Sequence, residues 1–299
     1  MLAEVTEFAS PWRFQRHVEV WLVMSVIIGS YVYAIRVIGP RAVGKGVIVT
    51  RRQITAFTAG AALMWIATDW PIHDISEEYL YSVHMVQHMT LAYFVPPLML
   101  IATPQWLFRA IFGDGAGRKV MRYFAWAPVA GVLFNLVVMV THIPALVNQS
   151  VSNGPLHYGL HVILVVTALL MWMPVCSPDP SLRIGYGGKM IYLFLMSVIP
   201  TVPAAWLTFA DDAVYKHYDI AVRVWGLSVQ TDQQLGGAVM KTFGGMYLWS
   251  IIVVIFFRRF IRGFFSEAGY TEQPLTFGDV EEVFDKTTPP AEPSQSINE

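Results

Sequence analysis

The sequence has little charge and almost no cysteine, and each shortage excludes a class of protein. Charged residues make up 14% of the 299 residues and apolar residues 55%, whereas soluble domains carry about a quarter charged residues. With a net charge of −1, the chain has no basic face for nucleic acid. Because Cys176 is the single cysteine, no disulfide can form within the chain, and a metal site built on several thiolates is excluded.

Long apolar segments, by contrast, are abundant. A helix needs about 20 apolar residues to cross a membrane, and every amide in lipid must be bonded within its own segment. The alternating pattern of a membrane barrel is absent. The sequence therefore predicts an all-α polytopic membrane protein, a bundle of seven transmembrane helices. The predicted spans are residues 18–38, 54–72, 82–102, 127–147, 156–175, 190–210 and 235–257.

Lysine and arginine are concentrated in the loops after the first, third and fifth spans and after the last span. Acidic residues such as Asp74 and Glu77 dominate the other side. Because basic loops stay in the cytoplasm, the N-terminus is predicted to lie outside and the C-terminus in the cytoplasm. The predicted organisation is an extracytoplasmic segment 1–17, a membrane domain 18–262 and an acidic cytoplasmic tail 263–299, disordered by its composition.

All eight histidines fall on the predicted outer side of the membrane. The third span carries His84 and His88, and the fifth carries His157 and His161 at the same spacing of four. Residues four apart share one face of a helix and can bind one ion. His142 ends the fourth span at a similar depth. Since ionisable residues within membranes usually mark function, these five histidines are predicted to form a metal site.

The three other histidines have a simpler interpretation. His17, His73 and His217 are expected in more exposed positions, as polar residues at the membrane interface. Asp69 and Asp232 are the obvious acids near the outer span ends, and with Gln233 they are predicted to orient the ring N–H groups.

The identity of the metal follows less directly from the residues. Imidazole suits copper, zinc, iron and nickel, and thioether groups such as those of Met85 and Met89 favour Cu(I). Copper is favoured over haem as the bound group, because the two histidines of one pair share a helix face and cannot be opposite axial ligands of one haem. A di-iron oxygenase would need more carboxylates, and a copper transporter would need polar residues along the whole bundle.

Several blocks of the sequence resemble one known family. The matching blocks are His84–Met89, Pro97–Pro104, His142–Pro144 with His157 and His161, Trp172–Pro174 and Thr231–Met240. They are similar to the multi-span CtaG-type cytochrome c oxidase assembly factors, and the resemblance covers about residues 18–260.

The resemblance implies a metal-delivery factor rather than an enzyme. Its cargo would be copper, as Cu(I), bound by His84, His88, His142, His157 and His161 and delivered to the active site of haem–copper oxidase. The implied partners are the oxidase subunit that carries this site, an external copper chaperone and the lipid bilayer. The implied location is the bacterial plasma membrane, with the metal site toward the extracytoplasmic face. A haem or di-iron redox enzyme and a copper transporter are the alternatives.

Overall fold

The computed structural model describes residues 10–220 and 223–269, excluding the side chains after residue 263, and this part is helical without a strand. The chain divides into two compact units, Met1–Val253 and Val254–Glu299. The predicted tail lies outside the described residues from residue 270 onward, as do residues 1–9 of the predicted N-terminal segment. The main helices are α1 (Val18–Val43), α2 (Arg51–Thr68), α3 (Tyr81–Ala102), α4 (Gln105–Phe112), α5 (Ala116–Phe124), α6 (Ala127–Thr141), α7 (Pro144–Val151), α8 (Gly154–Cys176), α9 (Tyr186–Thr208) and α10 (Val229–Gly269).

The all-helical class is as predicted, but the number of spans differs. Five helices of the described chain are long and apolar enough to cross a membrane, namely α1, α3, α8, α9 and α10. A sixth span is added if α5 and α6, which meet at 65°, count as one. The second predicted span corresponds to α2, which is not among them. It begins with Arg51, Arg52 and Gln53 and ends at Thr68, before the apolar Ile72. Seven spans and the orientation of the termini therefore stay predictions.

Helix α3 carries the first histidine pair and contains a π turn, Thr90–Phe94, just before Pro96. Proline has no amide hydrogen, so the carbonyl of Ala92 loses its helical partner. The indole Nε1 of Trp172 in α8 donates to this carbonyl at 3.1 Å. The bond ties α3 to α8 one turn beyond His88, and it satisfies the group that the proline leaves free.

Helix α10 approaches the start of α3 at Gly236 and the end of α9 at Gly237. A Cβ atom on Gly236 would lie 2.6 Å from the Tyr81 ring, and one on Gly237 would lie 2.6 Å from the Ala204 carbonyl oxygen. Larger residues would force the helices apart. The close approach brings Asp232, one turn earlier in α10, to the beginning of α3.

Candidate metal centre

Two helices present their histidine pairs to each other. His84 and His88 lie in the first turns of α3, with ring centroids 4.3 Å apart. His157 and His161 lie in the first turns of α8, with ring centroids 4.4 Å apart. Because residues four apart share a helix face, each pair forms one wall of a common site. Contacts between the walls are close, with the rings of His88 and His161 5.0 Å apart.

Three of these rings form a compact triad. His84, His88 and His161 each offer one ring nitrogen, and the three nitrogens lie within 4.8 Å of one another. The atoms His84 Nδ1, His88 Nε2 and His161 Nε2 are buried and have no hydrogen-bond partner. Buried polar atoms are nearly always bonded, so a triad in which each ring has a buried nitrogen without a partner fits a metal ion. The donor set is imidazole alone, which suits copper, zinc, iron or nickel.

His142 lies beside the triad, with its ring centroid 6.5 Å from that of His88. Its Nδ1 donates to the carbonyl of Val138 at 2.6 Å, which fixes the hydrogen on Nδ1. Its Nε2 is therefore left with a lone pair, and this atom is buried without a partner. The fifth predicted ligand, His157, packs its ring 5.8 Å from that of His84. The structure thus brings all five predicted histidines together, three in the triad and two beside it.

The predicted exposure of His17 and His73 is wrong. Their exposed fractions are 9% and 4%, because residues 69–79 fold back as a short helix, Ile72–Asp74, and a π turn, Ile75–Tyr79. The Nε2 atom of His17 lies 2.7 Å from an oxygen of Asp74. Treating this segment as a loop in water led to the error. His217 is half-buried, and its Nε2 lies 3.1 Å from the carbonyl oxygen of Glu77.

Two carboxylates at the edge of the cluster were missed. Oε1 of Glu77 lies 2.7 Å from His157 Nε2 and 3.1 Å from His73 Nε2. Burial acts to raise the pKa of Glu77, but the contacts with His157 and His73 outweigh it and lower the pKa. For Asp74, burial raises the pKa by more than His17 lowers it. The spacing of four between His73 and Glu77 was the available signal.

Asp69, Asp232 and Gln233 do not contact a histidine ring, contrary to the prediction that they orient ring N–H groups. The carboxylate of Asp69 accepts from the indoles of Trp21 and Trp65. Asp232 accepts from the backbone amides of Tyr81 and Ser82 and from the Ser82 hydroxyl, so it caps the start of α3. Gln233 accepts from the amides of Val214 and Tyr215. Asp232 and Gln233 hold the backbone around the site, and Asp69 anchors the end of α2.

Gln87 orients residues 69–79 against α3. Its Nε2 donates to the carbonyl of Ala67 at 2.8 Å and lies 3.2 Å from Nδ1 of His73. Its Oε1 accepts from the Ser76 hydroxyl at 2.9 Å. One fully bonded side chain between His84 and His88 thereby fixes the position of His73 next to Glu77.

A mainly apolar cavity of about 440 Å³ opens beside the triad. His161 and His73 line it together with Met24 and Met64, and the valines of α1 and α8 form the walls. The exposed Val23 and Val162 lie at its margin. The cavity connects the histidine cluster to the side of the helices, between α1 and α8.

The buried imidazole cluster within apolar helices defines a membrane protein with a candidate metal site. The chain belongs to the family of cytochrome c oxidase caa3 assembly factors, whose sequence profile matches residues 29–262. It is 24% identical over 193 residues to an uncharacterised protein of Mycobacterium bovis, and 27% identical over 195 residues to one of Mycobacterium leprae. Each alignment covers 59% of this chain but 29% of the relative, so the chain spans less than a third of their length. No solved structure matches the chain significantly.

Proposed function

We propose that this assembly factor binds copper, as its cargo, at the triad of His84, His88 and His161 and delivers it to the active site of haem–copper oxidase. One observation carries the proposal: three buried ring nitrogens without partners converge from two helices. A site of this kind costs free energy when it is empty, because each unsatisfied buried polar atom costs about 1–3 kcal/mol. A bound ion removes that cost.

The donor set favours Cu(I) among the metals that imidazole binds. The thiol of Cys176 lies fifteen residues beyond His161 in α8, about 22 Å along the helix, so no thiolate joins the site. Imidazole binds Zn²⁺ as well as copper, but a neutral triad adds no negative charge, so a monovalent ion costs less to bury there than a divalent one. The thioethers of Met24 and Met64 in the adjoining cavity supply further soft ligands for Cu(I).

His142 and His157 give the ion alternative ligands without moving the helices. Nε2 of His142 is buried and unpartnered next to His88. A carrier must release its cargo, so exchange among neighbouring imidazoles is more useful than a closed set of four ligands. The apolar cavity beside His161 offers a lateral route to a partner subunit within the membrane.

The family and the charge pattern support the proposed partner and location. The partner is the oxidase subunit that holds the haem–copper site, and an external copper chaperone supplies the ion. The protein lies in the bacterial plasma membrane with its histidine cluster toward the extracytoplasmic face. It performs no catalytic turnover in this role.

A histidine–carboxylate redox centre is the second candidate function, and one observation favours it. The shortage of carboxylates that argued against a di-iron oxygenase does not hold, because Glu77 lies 2.7 Å from His157 and Asp74 is buried nearby. Such a centre would retain iron through purification and would consume oxygen with a membrane-soluble substrate.

The deciding experiment is Cu(I) loading of the full chain in detergent, under anaerobic conditions, followed by metal analysis. The double variant His84→Ala/His88→Ala should lose the copper that the parent retains, and cells that carry it should make oxidase with less copper. His217→Ala is the matched control, since His217 lies outside the cluster, and it should bind copper as the parent does. Oxidase copper unchanged by the double variant would contradict delivery, and iron in the purified parent would favour the redox centre.

A further inference from the structure

The edge of the histidine cluster contains a carboxylate that lies close to two imidazoles, His73 and His157, and copper binding at the triad leaves it unused. Glu77 Oε1 lies 2.7 Å from His157 Nε2 and 3.1 Å from His73 Nε2. Both of these imidazole side chains are 5% exposed. Despite the short distances, Glu77 Oε1 and His157 Nε2 have no partner in hydrogen-bond geometry. Both atoms are therefore available as ligands.

The distances fit a metal ion after a small adjustment. Zinc binds imidazole nitrogen at about 2.0–2.1 Å and carboxylate oxygen at about 2.0–2.2 Å, so two ligands of one tetrahedral ion lie about 3.3 Å apart. The 2.7 Å between Glu77 and His157 must widen by a few tenths of an ångström. The Glu77 side chain is 26% exposed and can rotate to allow this.

His73 has a different role, which Gln87 determines. The amide Nε2 of Gln87 must face the carbonyl of Ala67, to which it donates at 2.8 Å. The same nitrogen lies 3.2 Å from His73 Nδ1, which accordingly accepts. The neutral ring then carries its hydrogen on Nε2, directed toward the side on which Glu77 lies. His73 is thus a positioning residue for the carboxylate rather than a ligand.

We propose that Glu77 and His157 form a second cation site, for a divalent ion such as Zn²⁺ or Cu²⁺, with His73 positioning Glu77 and water completing the coordination. The charges distinguish this outer site from the triad. The triad consists of imidazoles alone, whereas the outer site contains the Glu77 carboxylate. Asp74, three residues earlier, contributes a second carboxylate with one buried oxygen that has no partner. Buried divalent charge needs such compensation.

The outer site also differs in access. Glu77 is partly exposed, while His84 and His88 are 6% and 8% exposed. The ring of His157 lies 4.4 Å from that of His161, so this residue touches both sites. The outer site thus holds a divalent ion of its own beside the triad, and it does not depend on the proposed copper cargo.

The test uses Zn²⁺ as a redox-inert probe on the full chain in detergent, with equilibrium dialysis and metal analysis. We expect two Zn²⁺ per chain for the parent and one for Glu77→Gln, which keeps the shape of the side chain and removes its charge. Glu78→Gln is the matched control, because Glu78 is exposed and contacts Gln15 rather than a histidine. It should still bind two. The double variant His84→Ala/His88→Ala should retain the single ion that depends on Glu77.

Cu(I) binding at the triad, measured on the same variants, shows whether Glu77→Gln remains folded. A single Zn²⁺ in the parent that Glu77→Gln retains, or two Zn²⁺ in Glu77→Gln, would overturn the second site. Loss of both ions in Glu77→Gln with Cu(I) binding intact would also overturn it, since Glu77 would then support one joint zinc site. A parent that binds Glu77-dependent Zn²⁺ but no Cu(I) would refute copper carriage alone and leave the outer site standing.

Discussion

The buried polar groups at the two ends of the long helices differ in whether they have hydrogen-bond partners. The histidine end, formed by the five cluster histidines, leaves five ring nitrogens without a hydrogen-bond partner, one each on His84, His88, His142, His157 and His161. The arginine end lies about 22 Å away along α8, around Arg118, Asp179 and Arg183. There Arg118 pairs with Asp179 at 2.6 Å, and Arg183 Nε donates to the Ser177 carbonyl at 2.6 Å. Apart from Nε of Arg118, the polar groups around this pair are bonded.

This difference shows which end stabilises the fold. Paired groups at the arginine end hold the loop between α8 and α9 in place. The unpartnered nitrogens at the histidine end lower stability, since each costs about 1–3 kcal/mol when no ion is bound. Side chains that lower stability without a structural reason usually serve function. Substitutions should therefore separate stability from metal binding, one at each end.

The largest loss of stability is expected at the arginine end. Arg118→Ala leaves the Asp179 carboxylate, 2% exposed, without its counter-charge, and should lower the free energy of unfolding by about 3 kcal/mol. Thermal unfolding of the metal-free protein in detergent measures the loss. Copper binding by the folded fraction should not change. Arg122→Ala removes an exposed arginine from the same helix and serves as the control.

The pH dependence of this loss has a definite sign. Burial acts to raise the pKa of Asp179, but bonds from Ser181 and Arg118 outweigh burial and lower the pKa. A lowered pKa stabilises the fold above the ordinary carboxylate range, and the stabilisation disappears as the pH falls through the folded pKa. The difference between the parent and Arg118→Ala should hence shrink in acid. A difference that grows in acid would refute the role of the pair.

A smaller loss is expected where α10 caps the helix of the first histidine pair. Asp232→Ala leaves the buried amides of Tyr81 and Ser82 without an acceptor, at a cost of about 2 kcal/mol. Because these amides begin α3, copper affinity should fall as well. Asp219→Ala, which removes an exposed carboxylate paired with Arg223, should change neither quantity. Normal copper affinity in a destabilised Asp232→Ala would show that the cap supports the fold alone.

The smallest expected effect on the free energy of unfolding is an increase rather than a loss. His88→Leu replaces a buried ring whose Nε2 has no partner, and should raise the stability of the metal-free protein by about 1 kcal/mol while weakening Cu(I) binding. Gln87→Leu, one residue earlier, removes a side chain with three polar contacts and should destabilise. If His88→Leu also destabilised, the histidine end would be structural, and the contrast between the two ends would fail.

The helical class and the two histidine pairs could be predicted because each depends on short-range periodicity. A spacing of four puts His84 with His88, and His157 with His161, on one face whatever the rest of the chain does. Only the structure identifies Trp172 as the donor to the Ala92 carbonyl that Pro96 leaves free. The predicted second span, residues 54–72, extends past Thr68, where the helix of the structure ends.

The sequence alone therefore determined that the chain forms apolar helices and that two of them carry paired imidazoles, since composition and helical period decide both. Only the tertiary structure decided which groups meet across helices. It folded residues 69–79 over the cluster and buried His17 and His73. It also brought Glu77 next to His157, although 80 residues separate them in the sequence. It also assigned Asp232 to the start of α3 instead of to a histidine ring. Contacts of that range depend on packing between distant segments, which no local pattern encodes.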